Sequence, residues 1–146
     1  MKSVLLIFAI LSIQIGYGCS CLPPGKIDDI QFNKYDLIFK GKVVSIKKKN
    51  EVVSILFQVE DYYKGNKYSK TIKVATVAYE SACGITVKRG EEWLVYAFFS
   101  NNEYNTNLCT RTKNMNPKAW NYDKLELKED IEFLENKRKS ADKTIR

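Results

Sequence analysis

Asp36-Leu37-Ile38-Phe39-Lys40-Gly41-Lys42-Val43-Val44-Ser45-Ile46 gathers β-branched and aromatic residues around one interior glycine. Such residues suit a pleated, half-buried surface. A glycine in mid-strand marks a bulge or the sharp bend by which a strand turns the corner of a closed sheet. Working outward, Val52 to Tyr63 alternates for part of its length, with Val53, Ile55, Phe57 and Val59 on one face. Tyr63-Lys64-Gly65-Asn66 ends it as a turn. Ile72, Val74 and Thr76 predict a third strand and Trp93 to Phe99 a fourth, after an Arg89-Gly90 turn. Tyr104 to Thr110 predicts a fifth, pairing back across Asn101-Asn102.

Beyond Asn116-Pro117 the pattern turns helical. Asp123 followed by Glu126 reads as a capping box, and Leu127, Ile131 and Leu134 recur at i, i+4 and i+7. A shorter helical piece is expected over Ile27 to Phe32, with Ile27, Ile30 and Gln31 on one side. The expected fold is mainly β, a five-stranded barrel of the OB type with a C-terminal helix packed against it, spanning 19–139 as one domain. The end, 140–146, has almost no apolar content and is expected to fray. No internal repeat or low-complexity tract interrupts this layout.

Upstream, Lys2, the apolar run from Val4 to Ile15, and small residues at Gly16 and Gly18 have the layout of a cleavable secretion signal over 1–18. The apolar run is shorter than the roughly 20 residues that span a bilayer, so no transmembrane segment is expected. Cleavage after Gly18 makes Cys19 the first residue of a secreted, extracellular chain and removes one lysine from a formal net charge of +7. The alternative is a lipoprotein signal, with Cys19 acylated and the protein held at a membrane surface. Gly16-Tyr17-Gly18 suits that poorly, because an aliphatic residue is usual where Gly16 stands and a small one where Tyr17 stands.

Cys19, Cys21, Cys83 and Cys109 all follow this leader, and an even count in an oxidising compartment implies two disulfides. Of the three connectivities, a Cys19 to Cys21 bridge closes a very small strained ring suited to redox catalysis. The other two tie both N-terminal cysteines to Cys83 and Cys109 and act as staples, worth about 3–5 kcal/mol each in a chain-entropy account. A structural zinc site is disfavoured, since histidine is absent and the spacing has no paired short knuckles. An N-terminal Cys19 would also bring a free α-amine beside its own carbonyl oxygen, a pair able to chelate a metal ion belonging to another protein.

The catalytic inventory is poor. No histidine is present, Asp28-Asp29, Glu60-Asp61 and Glu91-Glu92 read as surface pairs, and no glycine-rich phosphate loop occurs. A binding protein rather than an enzyme is expected, with no cofactor. The basic balance suits an acidic partner surface, anionic matrix polysaccharide among them, or serves solubility. Lys47-Lys48-Lys49 and Lys137-Arg138-Lys139 carry no interleaved aromatics, so nucleic acid is not an expected partner.

The ordered set of segments resembles the tissue inhibitors of metalloproteinases, whose inhibitory part is a netrin-like (NTR) module. Cys19-Ser20-Cys21-Leu22-Pro23 is similar to that family's mature start. Phe32 to Asp36, Tyr63-Lys64-Gly65, Ser81-Ala82-Cys83-Gly84, Gly90 to Tyr96 and Leu108-Cys109 resemble later family segments, in order and with similar gaps. The resemblance implies an OB barrel, a monomer, and bridges Cys19 to Cys83 and Cys21 to Cys109. It also implies inhibition of zinc metalloproteases. Cys19 would displace the water on the target's zinc through its amine and carbonyl oxygen, Ser20 would enter the pocket beyond the scissile bond, and Cys21, Leu22 and Pro23 would line the cleft. Tyr79, Glu80, Ser81 and Ala82 would fill the opposite side. The alternative is a non-inhibitory secreted or lipid-anchored NTR module that binds a protein or an anionic glycan. The family's third disulfide and its second domain have no counterpart here, which predicts a tail helix held by packing alone.

Overall fold

The computed structural model describes residues 18–65, 69–119 and 122–144. The expected leader, except Gly18, lies outside the described residues, as do Asn66 of the predicted turn and the last two residues of the tail. Six strands form one sheet: β1 (Leu37–Lys49), β2 (Val52–Lys64), β3 (Thr71–Val77), β4 (Glu92–Ser100), β5 (Glu103–Asn105) and β6 (Lys113–Asn114). Among the described residues two helices flank it, α1 (Asp29–Asn33) and α2 (Lys124–Thr144), and a 3₁₀ turn spans Glu80–Ala82.

The sheet order is β1-β2-β3-β5-β4-β6, and a further β1–β4 pairing joins its two sides into a ring of five strands. β1 achieves this by serving two partners. Its first half pairs with β4, from Leu37 opposite Ala97 to Lys42 opposite Glu92, while nearly its whole length pairs with β2. The β1–β2 register shifts between Lys40 and Gly41, at the glycine expected to mark a bulge. A side chain on Gly41 would put its Cβ 2.7 Å from the Gln58 carbonyl oxygen, so the bend has room only for glycine. β4 and β5 form the expected hairpin, with Asn101 and Asn102 at positive φ. Asparagine tolerates that left-handed region better than most residues. β5 stops at Asn105 instead of Thr110: Tyr104 and Asn105 pair with β4 on one side and in parallel with β3 on the other, and the chain then turns, with Thr110 N–H on the Asn107 carbonyl. The short β6 had no periodicity long enough to be read.

Alternation along the ring strands makes two cores. Leu37, Phe39, Val43, Ile55, Phe57, Val74, Trp93 and Val95 pack together on one face, joined by Val53 and Val59 as the β2 pattern predicted. The opposite face of β1 and β4 presents Ile38, Leu94 and Tyr96 to Leu127 and Leu134 of α2. β4 is therefore buried on both sides. The α2 stripe behaves as expected, and Asp123 caps it by accepting from the N–H groups of Leu125 and Glu126 at 2.9 and 3.0 Å. The Glu126 carboxylate turns instead to Lys113 and toward Arg111.

Two expectations need correction. Ile27 is buried, but Ile30 is 72% exposed, since α1 begins only at Asp29 with Asp28 as its cap. The helix α2 is not held by packing alone: Arg111 pairs with its buried Asp130, Lys137 with Asp29, and Arg138 with Asp61. The acid pairs are surface partners as read, with Glu60 and Glu92 on Lys40.

Candidate functional site: a disulfide-held edge

Residues 18–24 form no helix or strand, and Pro23 and Pro24 stiffen their exit toward α1. What fixes this segment is sulfur chemistry. Cys19 is bridged to Cys83 and Cys21 to Cys109, each with a Cα–Cα distance of 5.0 Å. No free cysteine remains. The connectivity implied by the resemblance is the one present, and the strained Cys19 to Cys21 ring is absent. Between and after the bridges, Ser20 and Pro23 are exposed and Leu22 is 91% exposed.

Cys83 sits in a loop built to receive its partner. After β3, Ala78 donates its N–H to the Glu51 carbonyl oxygen at 2.8 Å, tying the loop to the β1–β2 hairpin. The 3₁₀ turn then folds back, with Ala82 and Gly84 both donating to the Tyr79 carbonyl at 3.0 and 2.9 Å. Cys83 closes the turn in the left-handed region, φ 64°. Gly84 follows because a Cβ there would lie 2.0 Å from the Val77 carbonyl oxygen. Tyr79, Glu80, Ser81 and Ala82 are left exposed, and the Tyr79 ring lies under the Lys48 ammonium at 4.9 Å. The structure thus joins the two predicted groups, 19–23 and 79–82, into one edge through the Cys19–Cys83 bridge.

Cys109 is placed by the turn after β5, where it donates its N–H to Asn107 Oδ1 at 2.9 Å, while Leu108 N–H bonds the Cys83 carbonyl at 2.8 Å. The two bridges consequently lie against each other. Cys19 Sγ is 3.6 Å from Cys21 Sγ and 4.0 Å from Cys109 Sγ, and Cys83 Sγ is 3.7 Å from Cys109 Sγ. Spacing along the chain gave no sign of a four-sulfur cluster. Three separate segments converge to make it.

No protein-family model matches the chain, and no curated protein matches it either. What the edge does must be read from its own geometry.

One supporting group escaped the sequence reading. Arg111, two residues past Cys109, is buried, and its Nη1 donates to the Gly25 and Pro24 carbonyl oxygens at 2.7 and 3.3 Å. Its Nε donates to Asp130 Oδ2 at 3.1 Å, and its Nη2 to Asp130 Oδ1. Tyr96 Oη donates to the same carboxylate at 2.9 Å. Burial opposes the Arg111 charge, yet the Asp130 carboxylate outweighs it and holds the guanidinium above its ordinary value. Burial, reinforced by Asp130, raises the Tyr96 phenol far above its usual range, so it stays a neutral donor. The available sign was Asp130 itself, a charge on the apolar stripe between Leu127 and Leu134. A buried carboxylate there requires a cation.

Proposed function

We propose that this protein is a secreted inhibitor of zinc metalloproteases, built on an NTR-type OB barrel. The observation that carries the reading is the Cys19–Cys83 bridge, which joins the exposed segment around Ser20 and Leu22 to the exposed loop Tyr79–Ala82. Cleavage after the exposed Gly18 converts the Cys19 amide nitrogen into an amine. Amine and carbonyl oxygen then form a five-membered chelate with a zinc that keeps an open position normally filled by water. An α-amine with a pKa of about 7.7–8 is neutral often enough near pH 7 to ligate.

Ser20 enters the pocket beyond the scissile bond, Leu22 and Pro23 lie along the cleft, and Tyr79 to Ala82 fill its other side. Two bridges hold this wedge in its bound shape before it meets the enzyme, so little ordering entropy is lost on binding. The chain acts outside the cell as a monomer with no catalytic group of its own. Among the described residues no helix is long and apolar enough to cross a membrane.

The test is inhibition of a panel of matrix-degrading zinc proteases by three forms: native, extended by one alanine before Cys19, and α-acetylated. The native form should inhibit stoichiometrically, and both modified forms should lose inhibition while keeping the native circular dichroism. An acylated nitrogen has no lone pair to donate, and an extra residue occupies the place of the zinc. Substituting a bulky charged residue, Ser20→Arg, should change which proteases are inhibited. Equal inhibition by the alanine-extended form removes the chelation mechanism. No inhibition by the native form leaves a non-inhibitory NTR binding module.

A further inference from the structure

We propose that the reduced chain has a second, metal-binding state, in which Cys19, Cys21, Cys83 and Cys109 hold one thiophilic divalent cation such as zinc as a tetrathiolate. This is independent of the inhibitory reading, because it concerns the four side-chain sulfurs and not the Cys19 amine.

The geometry carries it. A zinc–sulfur bond of about 2.3 Å makes the edge of a regular tetrahedron of sulfurs about 3.8 Å. Three of the four unbridged separations, 3.6, 3.7 and 4.0 Å, already match that edge, and the fourth, Cys21 to Cys83, is within 4.8 Å. The two bridged pairs must part to the same edge length, and Cys21 and Cys83 complete the tetrahedron. Staples that merely fasten a loop have no reason to touch, whereas here the hydrogen bonds at Cys83 and Cys109 bring them into contact. Cys109 is exposed and the other three are half-buried, which gives an ion a way in and a partly dry seat.

The chemistry balances with a phosphine as reductant. Each disulfide takes two electrons from one phosphine and two protons from water, so two phosphines become two phosphine oxides and four thiols form. Zinc then displaces four protons, and the site carries a net charge of −2. Oxidised, the sulfurs staple the edge covalently; reduced, the metal holds the same four points together. The absence of histidine and of short paired knuckles, which spoke against zinc in the sequence, does not bear on a site made by tertiary contacts.

Titration of the phosphine-reduced full chain with Co²⁺ under argon, then with Zn²⁺, tests this. Expected are one Co²⁺ per chain, the visible bands of a tetrahedral tetrathiolate, stoichiometric displacement by Zn²⁺, and β-rich circular dichroism in the metal-loaded form. If the reduced, metal-free chain is unfolded, zinc should restore that dichroism. Cys109→Ser should weaken Co²⁺ binding by more than about 10-fold and shift the bands to a three-sulfur pattern. The oxidised protein should show no bands. Saturation at two Co²⁺ per chain, a tetrathiolate spectrum on a chain that stays random coil, or native spectra from Cys109→Ser would each overturn the proposal.

Discussion

Arg111 and Asp130 face each other with both side chains buried, Nε to Oδ2 at 3.1 Å, and Arg111 spends its remaining nitrogen on the Pro24 and Gly25 carbonyls. One guanidinium thus fastens the helix α2 and the N-terminal segment to the stretch that follows Cys109. This does non-covalently what a third disulfide would do. Removing one partner strands a buried charge, so Asp130→Ala should lower unfolding stability by about 3–5 kcal/mol in urea titrations. Tyr96→Phe, which removes one hydrogen bond to the same carboxylate, should cost about 1.5–3 kcal/mol. The paired change Arg111→Met with Asp130→Leu should recover much of the loss. It should also speed hydrogen exchange around residues 25–27, because the Pro24 and Gly25 carbonyls then lose their donor.

Gly84 reports on the loop. With its Cβ position 2.0 Å from the Val77 carbonyl oxygen, Gly84→Ala must displace the backbone of residues 79–84 or the end of β3. A destabilisation of about 1–3 kcal/mol is expected, with the largest amide shift changes at Val77 and Tyr79. Native stability with unchanged shifts would refute the packing described for this loop.

Leu22 and Leu134 should behave as opposites. Leu22 is 91% exposed, so Leu22→Ala should change stability by less than about 0.5 kcal/mol. If Leu22 packs in a protease cleft, the same change should weaken inhibition by about 10-fold or more, the worth of a leucine removed from water. Leu134 is fully buried between α2 and the sheet, and Leu134→Ala should cost about 2–5 kcal/mol.

Asp123 gives a pH signature. Its carboxylate accepts from the N–H groups of Glu126 and Leu125, which lowers its pKa below the ordinary 3.8. The sign follows: the cap contributes fully above that ordinary value and is lost as pH falls through the lower folded value. Helix stability in the native protein and in Asp123→Ala, followed by circular dichroism, should differ at neutral pH and converge in strong acid. Asp123 is fully exposed, so added salt should narrow the neutral-pH difference.

The sequence was most legible where local pattern and tertiary environment agreed. Gly41, the Val53 to Val59 alternation, the Asn101-Asn102 turn and the Leu127 to Leu134 stripe each carry their meaning in a few neighbouring residues. β5 is shorter than its composition suggests because Thr106 and Thr110, β-branched like strand residues, give their hydroxyls to a buried network with the Tyr96 carbonyl and Thr112. The candidate edge was readable because its cysteines are few and its first segment is distinctive. Its support was not: Arg111 reaches Gly25 and Asp130 across gaps no periodicity spans, and the sulfur-to-sulfur contacts join segments with no shared spacing.

Both bridges tie the start of the chain to points far along it, with sequence separations of 64 and 88 residues. A ribosome adding roughly 5–20 residues each second takes about 4–18 s to cover the longer interval. Cys21 therefore emerges long before Cys109 exists to receive it, and Cys19 long before Cys83. Strands β1 to β3 precede Cys83 and β1 to β5 precede Cys109, so the ring's strands are made before the second bridge can close. In each bridge the cysteine made first waits as a free thiol for its partner, so oxidation of Cys21 with Cys109 reports that the strands of the five-stranded ring have all been made.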